Sequence, residues 1–196
     1  MSSEPVRLDA RAADNLRFIR DTMERAGAFT AVPGWGGAAM GASAVVAAFL
    51  AAQQSEPASW LRVWLIELVA AVLLAGSTMA LKAKNSRVSL FGGPARRFAL
   101  AFAPPVVAGG ILTYALATSQ QYELLAGTWL LLYGAGIVAG GVASVRIIPL
   151  MGALFFVLGV LAIALPANIS RDVLLAVGFG GLHIIFGGII AWRYGG

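Results

Sequence analysis

The sequence predicts an all-α integral membrane protein, a bundle of about six transmembrane helices preceded by a cytoplasmic amphipathic helix. Composition is the first reason. The 196-residue chain is 59% hydrophobic and 12% charged, with a mean hydropathy of +0.83, whereas a soluble domain has roughly a quarter of its residues charged. The second is the crowding of those charges, which leaves long uncharged runs over 26–55, 98–122, 124–145, 147–170 and 173–192. A sixth run, 61–81, is interrupted only by Arg62 and Glu67. Each reaches the roughly 20 residues that a helix needs to cross a hydrocarbon core ~30 Å thick. Third, the runs are continuous rather than alternating, unlike barrel strands of about ten residues.

Residues 1–30 form the cytoplasmic N-terminal segment of this reading, and 31–196 the transmembrane domain. Between 8 and 29 the apolar positions Leu8, Ala12, Leu16, Ile19, Met23 and Ala26 recur at helical spacing. Arg17 with Asp21 and Arg20 with Glu24 sit four apart on the wet face. Such a helix lies on the membrane surface, docks a partner, or sets the approach to the first span. These charged residues contain no apolar leader segment. Val32-Pro33-Gly34 then breaks the helix.

The spans expected are about 33–53, 60–81, 98–118, 124–145, 147–167 and 173–192. Only the connection over 82–97 is long, and it carries Lys82, Lys84, Arg87, Arg96 and Arg97. Placing it inside leaves twelve of the fourteen basic residues on the cytoplasmic side, with Arg62 and Arg171 opposite. The expected location is therefore a bacterial-type inner membrane with both termini cytoplasmic. The net charge of +5 then records topology and anionic lipid rather than nucleic acid. Trp60, Trp64, Tyr122 and Trp129 are expected at the outer interface, and Trp35, Trp192 and Tyr194 at the inner one. Pro104-Pro105 should kink the third span.

Helices in lipid associate through close packing of small residues. The 24 glycines supply such seams at Gly37 and Gly41 with Ala44 and Ala48, at Gly136 and Gly140, and at Ala176, Gly180, Gly187 and Ala191. Gly178-Phe179-Gly180-Gly181 lies mid-membrane, outside any context for a phosphate loop.

Two ionisable side chains fall within the spans, and the cost of such groups in hydrocarbon makes them functional candidates. Glu67 lies ~10 Å below the outer interface at ~1.5 Å per residue, on a face shared with Trp60, Trp64, Ala71 and Thr78. His183 sits near the middle of the last span, within its small-residue ridge. Their depths differ by only ~5 Å. The spacing predicts a polar path lined by Glu67, Thr78 and His183 that exchanges protons or binds a cation. The plainer reading is a single buried hydrogen bond fixing helix register, with Glu67 neutral or reaching Arg62. Lys82, Lys84, Arg96 and Arg97 form a basic collar that contacts lipid headgroups or merely records topology.

Catalysis has no visible constellation. One histidine and no cysteine leave no zinc motif, no thiolate and no paired haem ligands within the chain. The expectation is a non-enzyme without metal or cofactor. Two classes lead: a small transporter or channel, which would gain polar lining as a homo-oligomer, or a non-catalytic subunit or regulator docking a protein partner through the N-terminal helix; an intramembrane enzyme is a distant third.

Overall fold

The computed structural model describes residues 14–16, 18–19, 32–85, 93–165 and 170–194. Those residues are helical with short turns, and they contain six helices long and apolar enough to span a membrane. They are α1 (Gly34–Ala51), α2 (Pro57–Asn85), α3 (Gly93–Thr118), α4 (Leu125–Gly141) and α5 (Ile147–Ala164). The last, α6, runs through Arg171–Leu175, Ala176–Leu182 and His183–Tyr194. Of the expected amphipathic helix, 14–16 and 18–19 are helical and exposed; the rest of that expectation, with Arg87 in the long connection, lies outside the described residues.

Local chemistry accounts for the helix ends. Pro33 blocks helix before α1, and its carbonyl accepts the Gly37 amide at 2.9 Å. At the other end, the side-chain amides of Gln53 and Gln54 donate to the carbonyls of Phe49 and Leu50. Pro57 opens α2, where its missing amide proton costs nothing. α2 and α3 extend past the expected 60–81 and 98–118, mostly at the end bearing Lys82. α3 continues through Pro104 and Pro105. It stops in a Schellman turn, with the Gln121 amide on Leu116 O at 2.8 Å, the Gln120 amide on Ala117 O at 3.1 Å, and Gln120 at φ 59°.

Two helices are central. α1 packs between α2 and α6, and α4 between α3 and α5, while α6 also meets α5. Both central contacts are glycine seams. On α4, Gly127, Gly134 and Gly141 recur every seventh residue and face Gly159, Gly152 and Ile148 of α5 in antiparallel order. A Cβ on Gly134 would come within 2.7 Å of the Phe156 backbone nitrogen. Gly41 on α1 meets Gly180 O in the same manner, and Gly187 meets the Ala38 backbone. Gly136 and Gly140 instead seat the rings of Phe102 and Phe98 from α3.

α2 and α3 stand apart from this scheme. They are not packed along their length, meeting at Ala83 and Ala95 near the Lys82 end, and only 6% of each spanning window is buried, against 50% for the α4 window. The tryptophans differ in their surroundings. Trp35 and Trp192 are exposed at the Lys82 end, but Trp64 is 5% exposed and Trp60 and Trp129 are part-buried. Ring contacts within the bundle join these three to one another.

Candidate functional site

A cavity of about 380 Å³ lies between α2 and α3, floored by α4 and α6. Glu67, His183, Tyr133 and Thr113 are among its few polar side chains, and its walls are otherwise apolar and aromatic. α2 brings Glu67 to one edge, where Oε1 accepts a hydrogen bond from Ser43 Oγ of α1 at 2.8 Å. Ser43 Oγ also lies 2.9 Å from Met40 O. The hydroxyl has one proton, so it cannot donate to both acceptors at once. It donates to an ionised Glu67, or it donates to Met40 O and accepts from a protonated Glu67. One geometry thus serves either protonation state. Arg62 turns to Ser59 at 2.8 Å rather than to Glu67.

His183 is 6% exposed, and its Nε2 stands 2.8 Å from the Tyr133 hydroxyl. Tyr133 donates when Nε2 is the bare nitrogen and Nδ1 carries the proton. The turn before His183 is π-helical over Ala176–Leu182, which loosens its carbonyls from the α-helical ladder. The imidazole lies against the carbonyls of Gly178 and Phe179, although Nδ1 reaches hydrogen-bond geometry with no partner. The glycines of Gly178-Phe179-Gly180-Gly181 lie in this wide turn. Gly178 is pressed by Leu130 and Gly180 by Val45, both within 3.0 Å of a would-be Cβ.

Glu67 and His183 therefore line one cleft, but no hydrogen bond joins them and each is held by its own partner. Thr78 does not line it. Its hydroxyl bonds back to Leu74 O on its own helix, and the side chain packs on Gly36. The basic collar lies away from the cleft, at the Lys82 end. Lys82 Nζ donates to Val32 O at 3.0 Å, while Lys84, Arg96 and Arg97 are exposed.

The opposite end is closed by tryptophan. Trp60 and Trp129 stack at 5.5 Å and 4°, and Trp64 tilts against both. Two hydrogen bonds hold the stack: Trp60 Nε1 to Asp172 Oδ1 at 2.7 Å, and Trp129 Nε1 to Thr113 Oγ1 at 2.8 Å. Beyond it lies a second, more polar pocket of about 320 Å³ bordered by Trp60, Glu123, Arg171 and Asp172. Below it, Trp64 meets Phe179, which meets Tyr133 and Phe155, and Tyr133 meets Phe102, which stacks on Phe98. Neither Ser43 nor Tyr133 stood out as a site residue in the sequence. A tyrosine at mid-span, away from the interfaces that tyrosines favour, was the available signal.

No protein-family model, curated protein or solved structure matches the chain.

Proposed function

We propose that the protein is a small membrane transporter whose ligand occupies the cleft between α2 and α3. The observation that carries this reading is that Glu67, Tyr133 and His183, from three helices, line one cavity. Its volume falls in the range of small-molecule sites, roughly 300–1,000 Å³. An acid placed this deep costs a few kcal/mol unless it is paired, hydrated or protonated. A hydroxyl that accommodates both of its protonation states favours a group that exchanges a proton or a cation. The tryptophan cluster between the cleft and the second pocket favours a gated carrier over an open pore. In this reading the basic bias places the Lys82 end, and both termini, in the cytoplasm of a bacterial-type inner membrane. Lys84, Arg96 and Arg97 there meet anionic headgroups.

The test exploits the absence of cysteine. Gly110→Cys and Ala71→Cys, both in the cleft wall, are treated in oriented vesicles with a membrane-impermeant maleimide from each face in turn. A transporter exposes the cleft to both aqueous faces over its cycle, so both variants become labelled from both. Labelling from neither face would reduce the cleft to a lipid-filled groove, and labelling from one face alone would leave a site without passage.

A further inference from the structure

The charge and lining of the cleft narrow the ligand. Glu67 is its one carboxylate, and no lysine or arginine is among the described lining residues. The other titratable groups on its walls, Tyr133 and His183, are bonded to one another. The Glu67 carboxylate has a single hydrogen-bond donor, Ser43, and no cationic partner among the described residues. The rest of the wall is broad and apolar, and five aromatic rings contribute to it: Trp64, Phe102, Trp129, Tyr133 and Phe179.

A metal ion is poorly matched to that wall. Hard cations take about six to eight oxygen ligands, and one carboxylate with a few hydroxyls falls short. The described residues also hold no group of three or more His, Cys, Asp or Glu side chains placed to share an ion. An anion would meet Glu67 without a compensating cation. A wholly apolar ligand would leave that carboxylate unpaired in a dry cavity. A quaternary or protonated amine on an apolar body satisfies both parts of the wall. Its charge pairs with the carboxylate, its body excludes water, and aromatic faces attract organic cations within ~6 Å.

We propose that the cleft binds a small organic monocation, with its ammonium group at Glu67 and its apolar body against the aromatic wall. This rests on the cleft being a ligand site at all, so the experiment separates the two claims. Benzyltrimethylammonium and neopentylbenzene have nearly the same shape and differ in charge. Both are titrated into the protein in lipid nanodiscs, reading the fluorescence of Trp64 and Trp129, with Gly109→Phe and Ala71→Phe as filled-cleft controls. The wild type binds the cation at least about tenfold more tightly than the neutral isostere, equivalent to ~1.4 kcal/mol. In Glu67→Gln the two affinities converge. Equal affinities in the wild type, or a cation preference that survives Glu67→Gln, overturn the organic-cation assignment while the ligand site stands. Failure of both probes to bind above the filled-cleft controls overturns the site, and the assignment with it.

Discussion

The pairs α4–α5 and α2–α3 are built from similar amino acids but meet in opposite ways. Along α4 and α5 the backbones approach so closely that a methyl group on Gly134, Gly141, Gly152 or Gly159 would collide with the neighbouring helix. Along α2 and α3, Gly76 and Gly110 face open space, and a Cβ on Gly109 would make only an ordinary 3.7 Å contact with Leu132. Hydrophobicity does not distinguish the two, since lipid is as apolar as a leucine side chain. What differs is shape: a seven-residue glycine repeat on each of two facing helices allows contact along their length, and α2 has no such repeat. The seams on α4–α5 and α1–α6 make a fixed frame, and α2 and α3 lean on it with the cleft between them. Under the proposed function, motion for ligand access would fall to the less buried pair, with Tyr133 and His183 carried on the frame.

The largest expected effect breaks the frame. Gly134→Leu would force a side chain into the Phe156 and Gly152 backbones, which cannot yield as a flexible side chain would. A loss of about 3 kcal/mol, the upper end for overpacking, is expected. Gly110→Leu is the matched change on the open side, where nothing opposes the new side chain, and should be neutral or stabilising by up to about 1 kcal/mol as the helix penalty of glycine is relieved. Unfolding titrations of the two variants in mixed micelles measure the contrast. Similar losses in both would show that α2 and α3 are as tightly held as the frame.

A smaller effect tests the join between frame and cleft. Tyr133→Phe removes the hydroxyl 2.8 Å from His183 Nε2 and leaves a buried imidazole nitrogen unpartnered. Its cost should be about 1–3 kcal/mol, with the helix content unchanged. The ring contacts of Tyr133 with Phe102, Phe155 and Phe179 persist in phenylalanine, so the change reports the hydrogen bond. A variant as stable as the wild type would mean that water or a ligand group replaces the hydroxyl.

The frame was more legible in the sequence than the cleft. Span positions follow from run lengths alone, and the ridge of Gly180, Gly187 and Ala191 follows from its spacing. The seven-residue repeat of Gly127, Gly134 and Gly141 is equally readable, though the four-residue spacing of Gly136 and Gly140 is the commoner seam signature; those two seat phenylalanines of α3. The cleft depends on what is missing between α2 and α3, and periodicity says nothing of a gap. Trp60, Trp64 and Trp129 have the composition of an interfacial belt, and only tertiary contact reveals that they stack on one another. Glu67 and His183 were readable as costly groups in hydrocarbon. Their partners Ser43 and Tyr133 were not, because a hydroxyl on an apolar helix commonly bonds to its own backbone, as Thr78 does.

The smallest expected effect concerns how a leaning helix is held. With little of α3 buried, its end has to be fixed locally, and the Schellman turn at Gln120 does this. Gln120 is the one non-glycine residue with positive φ among those described, and a side chain in that left-handed region costs roughly 1–2 kcal/mol. Glycine removes that penalty but raises the entropy of the unfolded chain, which takes back roughly 0.5–1 kcal/mol. The side-chain amide of Gln120 also donates to Ala117 O at 3.3 Å in an exposed setting, a long bond that water readily replaces. Gln120→Gly should therefore stabilise the protein by about 0.5 kcal/mol, seen as a small upward shift in thermal midpoint. A gain confined to amide-exchange protection over the last turn of α3, with α4 and α5 unaffected, would mark that end as a local hinge of the open side. A gain spread evenly over all six helices would mean that α3 unfolds together with the frame, and the contrast between the two pairs would be one of packing alone.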